Sequence, residues 1–122
     1  MNVYQQAYYK RMLEKDRLVP IMIGGHLAGF ITYYIGSLAE KYVRDDPWSV
    51  VDDDPEHGTI CFVDQMITNK AKGNYRYSRA VWKYFREHIS KTYPRVRAIR
   101  WNRVKQGVPY VFYHTITPKR AV

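Results

Sequence analysis

The chain has a single cysteine, Cys61, so no disulfide can form within it. That excludes the small scaffolds that depend on disulfide staples and leaves an apolar core as the source of stability. Cys61 lies in the run Thr59-Ile60-Cys61-Phe62-Val63. This setting reads as a buried core thiol rather than a reactive one. No stretch approaches the roughly 18 apolar residues that a membrane span requires. Met1-Asn2-Val3-Tyr4-Gln5 has no signal-peptide character. The expectation is a cytoplasmic protein with no membrane partner. His26 and His57 stand in unrelated contexts, and no Cys/His spacing points to zinc. Acidic residues are nearly missing from the second half. Residues 65–122 hold 14 Lys and Arg against the one acid Glu87, a net of +13. Residues 1–64 hold 6 against 10, a net of −4, which makes up the overall +9. Such segregation predicts that one face of the C-terminal half meets an anionic ligand.

What is present suffices for one domain. With 122 residues, 46% hydrophobic and 16% aromatic, the chain can close one core over residues 1–122 but not two. Twelve tyrosines carry much of the aromatic content. They suit half-buried positions, where the ring packs and the hydroxyl stays wet.

Residues 2–17 read as a helix with Tyr4, Tyr8 and Met12 at four-residue spacing, stopped before Pro20. Residues 19–36 read as a hairpin turning at Gly24-Gly25, with Gly29 in its second strand marking a bulge or a close approach. A short helix is expected at 37–44. The acidic stretch at 45–57 reads as a loop that pairs loosely with the basic half. Residues 59–68 read as a central strand. Alternation puts Ile60, Phe62, Asp64 and Met66 on one face and Cys61, Val63, Gln65 and Ile67 on the other. Asp64 breaks an apolar row, and its burial is unfavourable without a partner. A helix is expected at 77–91, with Tyr77, Val81, Tyr84, Phe85 and His88 on its apolar stripe, ending at Tyr93-Pro94. Strands at 95–101 and 108–116 complete an α/β (α+β) fold. Its strand–helix–strand crossover beside antiparallel hairpins predicts a mixed, mostly antiparallel sheet with flanking helices.

The loop Asn69-Lys70-Ala71-Lys72-Gly73-Asn74-Tyr75-Arg76 stands between a strand and a helix. Amides at a helix N-terminus attract anions, Lys70, Lys72 and Arg76 add full charges, and Gly73 lets a phosphate approach. The spacing matches neither a P-loop nor a dinucleotide fingerprint. Asp64 has two readings. It either orients or deprotonates an amine, or it is held structurally by strand neighbours or by Arg97.

This order of hairpin, long strand, basic glycine loop, helix and strand resembles the core of the GCN5-related N-acetyltransferase family. Gly25-His26-Leu27-Ala28-Gly29-Phe30-Ile31 is similar to that family's Val/Ala-Gly-Phe hairpin strand. The loop keeps only the first glycine of the family's Gln/Arg-x-x-Gly-x-Gly/Ala. Phe62-Val63-Asp64, Gly73, Tyr84-Phe85-Arg86 and Val96-Arg97-Ala98-Ile99-Arg100 resemble motifs of the toxin-activating lysine acyltransferases, a divergent branch of the same fold. The likeness covers residues 20–103. It implies an acyl-CoA N-acyltransferase-like fold moving an acyl group from acyl-coenzyme A, or another acyl thioester, to an amine. Met66, Ile67, Lys70, Lys72, Gly73, Asn74, Tyr75 and Arg76 would then hold the cofactor. Asp64 takes the place of the branch's catalytic aspartate, and Tyr113 becomes the candidate acid for the thiolate. The family's helix after the fifth strand has no counterpart here, which raises a homodimer that completes the sheet.

The alternative is a basic nucleic-acid-binding module, or a non-catalytic protein-binding one, on the same fold. Tyr75, Tyr77, Trp82, Tyr84 and Trp101 interleave with Arg76, Arg79, Lys83, Arg100 and Arg103, a composition that neutralises phosphates and stacks bases. A +13 half also exceeds what one cofactor needs.

Overall fold

The computed structural model describes residues 2–36, 54–69 and 77–116, with the backbone alone at 102–105, 108–111 and 113. The expected helix at 37–44, most of the acidic loop, the glycine loop at 70–76 and the C-terminal tail lie outside the described residues.

The first element is α1 (Val3–Glu14). Asn2 caps it by accepting from the Gln5 amide at 2.8 Å, and Gln5 returns a bond to the Asn2 amide at 3.1 Å. This reciprocal box satisfies two donors that a helix start otherwise leaves open. Tyr8 and Met12 are buried as the spacing predicts, but Tyr4 is exposed. The helix stops short of the expected residue 17, because Asp16 turns left-handed at φ 60. Pro20 is not the stop. It sits exposed within the edge strand, where the N–H it lacks is not needed.

Five strands form one mixed, mostly antiparallel sheet in the order β1-β2-β3-β4-β5. They are β1 (Leu18–Ile23), β2 (His26–Gly36), β3 (Ile60–Thr68), β4 (Ala98–Lys105) and β5 (Val108–Thr115). β1 and β2 form the expected hairpin, with positive φ at both Gly24 and Gly25. A second hairpin joins β4 and β5 through Gln106 and Gly107, both also at positive φ. The crossover helix α2 (Tyr77–Thr92) joins β3 to β4, the one parallel pair.

The two helices cover opposite faces. Tyr33 meets Phe85 of α2 edge to face at 5.5 Å, while its neighbour Thr32 lies 2.9 Å from the Tyr8 hydroxyl of α1. The main core forms on the α2 face. Val81, Phe85 and Ile89 are fully buried there against Ile31, Tyr33, Ile35, Cys61 and Ile99. The helix stripe differs from expectation at Tyr84, which is 49% exposed, and its place in the core is taken by Ile89. β4 begins three residues later than the alternation of charges predicts. Val96 is buried before it, so Val96 and Ile99 both reach the core without strand alternation.

Asp64 is where the expected faces fail. Thr32 and Tyr33 are consecutive on β2, yet they pair with Gln65 and Val63, so Asp64 is the extra residue of a β-bulge. A bulge re-aims the side chains around it. Alternation holds through Val63 and then slips by one. Gln65 joins Asp64 towards α1, and Met66 and Thr68 turn to the α2 face.

Candidate active site at a divergence of strands

The site follows from two irregularities of β3. Its pairing with β4 spans only Ile60, Cys61 and Phe62 against Ala98, Ile99 and Arg100. Beyond these residues the strands part, and the bulge at Asp64 falls just past the last pair. A cavity of about 560 Å³ opens there. Val63, Met66 and Thr68 line it from β3, and Ser78 and Arg79 from the first turn of α2. Trp82 and Trp101 form an indole wall, edge to face at 4.7 Å. Trp101 is braced from behind by Phe112, stacked at 5.7 Å. The wall is therefore apolar and rigid, while the mouth carries a hydroxyl and a guanidinium.

Asp64 is among the residues that line this cavity, and its carboxylate is held on the α1 side. Its Oδ2 accepts from the hydroxyl of Tyr8 on α1. The same hydroxyl lies 2.9 Å from Thr32 Oγ1, which accepts the Gln65 amide at 3.1 Å. A phenol has one proton, so when it goes to Asp64 the Thr32 hydroxyl supplies the other bond. The result is a chain of donors running from the bulge amide through Thr32 and Tyr8 to the carboxylate. Tyr9 donates to Gln65 Oε1 at 2.5 Å, fixing the second residue of the bulge from the same helix.

Burial pushes the Asp64 carboxyl above its ordinary range, and the Tyr8 hydrogen bond pulls it only part of the way back. Burial and then the adjoining carboxylate push the Tyr8 phenol far above its ordinary range, which keeps it a neutral donor. A carboxylate so placed is a stronger base than one in water.

The chain matches no protein-family model and no curated protein.

Among the residues singled out from sequence, the structure brings Asp64 and Met66 together on the cavity. Ile67 turns to the opposite side, with its carbonyl packed against Gly29. Tyr113 stands on the edge strand β5 opposite Arg100, which itself pairs with Phe62. Lys70, Lys72, Gly73, Asn74, Tyr75 and Arg76 lie outside the described residues. Asp64 takes a hydrogen bond from Tyr8 rather than from Arg97, whose amide pairs with Thr59 at the far end of the strand. Sequence reasoning missed Tyr8 and Thr32 as site residues. The one available signal was the carboxylate in an apolar row, which demands a partner without naming it.

A second polar cluster serves structure alone. Arg17 Nη1 donates to Tyr93 Oη at 2.9 Å and stacks over Tyr33 and Tyr93. The Tyr33 and Tyr93 hydroxyls meet at 2.8 Å. Together they tie the α1–β1 turn to the end of α2.

Proposed function

We propose that the cavity receives the pantetheine arm of acyl-coenzyme A and that the protein transfers an acyl group to an amine, on an acyl-CoA N-acyltransferase-like fold. The observation that carries this reading is the early end of the β3–β4 ladder beside a bulged carboxylate. Past Phe62 the backbone of β3 is free of β4, so its amide and carbonyl groups are available to an extended, amide-bearing chain. The indole wall suits the apolar stretch of such a chain, and Arg79 with the preceding basic loop suits its phosphates.

When bound, the thioester supplies an activated acyl carbon. Asp64 accepts the proton that the attacking nitrogen must lose, and Tyr8 and Thr32 fix the orientation of its carboxylate.

Trp82 and Trp101 report on the cavity directly. Acetyl-coenzyme A is expected to quench the indole emission saturably, and W101F to remove much of that quench. D64N should retain the quench and lose acyl transfer to a panel of primary amines. Absence of saturable binding up to about 1 mM, a very weak affinity, would overturn the reading.

A further inference from the structure

A second concave site lies on the same side of the sheet, away from the carboxylate. It is a groove of about 470 Å³ between α2 and β5. Lys83, Arg86, Glu87 and Lys91 face it from the helix, and His114 from the strand. Arg86 is half-buried, and its Nη1 lies 3.4 Å from His114 Nε2. A guanidinium only donates, so the imidazole nitrogen accepts and the ring is neutral. Burial, and then the Arg86 charge, hold the His114 pKa below its ordinary value, in agreement with that tautomer. Among the described residues Arg86 thus has a histidine rather than a carboxylate for a partner, and its buried Nε has none. The groove gathers three full positive charges against the single carboxylate of Glu87.

We propose that this groove holds the phosphodiester backbone of a nucleic acid. Phosphate chemistry follows from the planar guanidinium flanked by two ammonium groups. A repeating polyanion rather than one phosphate follows from the length of the track. Arg79, Lys83 and Arg86 recur at spacings of four and three along one face of α2. Lys91 extends the run to about 18 Å at 1.5 Å per residue. The backbone of exposed Arg97 adjoins the groove, where its carbonyl accepts the amide of Ile116, a lining residue. One end of the track therefore lies at the mouth of the cavity, where Arg79 belongs to both.

The test is fluorescence anisotropy of a short, mixed-sequence, single-stranded oligonucleotide titrated with the full chain at several salt concentrations. Two charge-matched variants are compared, K83A/K91A in the groove and K10A/K15A on the exposed side of α1. Circular dichroism checks that both fold. The groove pair is expected to weaken binding and to flatten the slope of log affinity against log salt by about 1.4, from two lost contacts at about 0.7 each. The α1 pair should leave that slope unchanged. Equal losses in the two variants would show attraction by net charge alone and overturn the groove assignment. So would absence of oligonucleotide binding, even if inorganic phosphate shifts the His114 resonance. Indole quenching by acetyl-coenzyme A in K83A/K91A reads the cavity separately. The two assignments therefore stand or fall independently.

Discussion

At the scale of single residues, Asp64 carries the strongest tension between stability and chemistry. Its folded pKa is raised by burial. The folded protein therefore binds more protons than the unfolded chain between the two pKa values, and stability falls as pH rises through that window. At neutral pH the ionised carboxylate is a net burden on the fold. D64N keeps an oxygen to accept from Tyr8 and removes the charge. It is expected to melt at a higher temperature than the parent at neutral pH. The difference should shrink as pH falls through the raised Asp64 pKa towards the ordinary carboxylate range. Thermal melts across that pH series decide the matter, and a D64N protein less stable at every pH would mean that the Tyr8 bond outweighs desolvation. The anomaly of Asp64 was legible in sequence, since period-two alternation made it the odd member of an apolar row. Its partner was not, because Tyr8 lies 56 residues away and nothing local connects them.

At the scale of elements, most of the fold was legible for local reasons. Gly24-Gly25 marks a hairpin because both positions need positive φ, and Val81 and Phe85 mark the buried side of a helix by spacing. The faces of β3 after Val63 were not legible. A bulge inserts one residue without a compositional signal, and every later side chain then changes sides. Gly29 shows how tightly this region is built. A methyl group there would collide with the Ile67 carbonyl and press on Thr68 Cα at 3.1 Å, both backbone atoms. Thr68 lines the cavity, so relief of that clash must move the cavity wall. G29A is expected to destabilise the protein by about 1–3 kcal/mol, as overpacking commonly does, and also to weaken indole quenching by acetyl-coenzyme A. G24A is the control. Its position is open to solvent and needs only a left-handed backbone, at about 1–2 kcal/mol. Denaturant melts should show both losses, while only G29A should alter the quench. A G29A protein with parental quenching would separate the β2–β3 approach from the cavity.

For the molecule as a whole, the governing feature is the uneven distribution of charge, which sequence displays without showing what opposes it. The net charge is +9, and among the described elements the excess lies in α2, with Arg79, Lys83, Arg86 and Lys91, and in β4, with Arg100, Arg103 and Lys105, which meet through Trp82 and Trp101. Of the described acids of the 45–57 stretch, Asp54 and Glu56, Asp54 has a side-chain partner among the described residues. That partner is the nearby His57 at 3.2 Å, not a residue of the basic half. Folding thus brings like charges together, and salt screens them over about 8 Å at physiological ionic strength. The melting temperature is expected to rise as sodium chloride is raised from a few millimolar to physiological strength. For a chain of this size a relief of about 1 kcal/mol corresponds to roughly 3–6 °C. If the acidic stretch instead neutralised the basic half, salt would weaken that attraction and the melting temperature would fall. Scanning calorimetry over the salt series distinguishes the two by sign. A rise would mean that the folded protein holds its positive face under repulsion, the electrostatic condition under which an anionic partner gives the largest stabilisation.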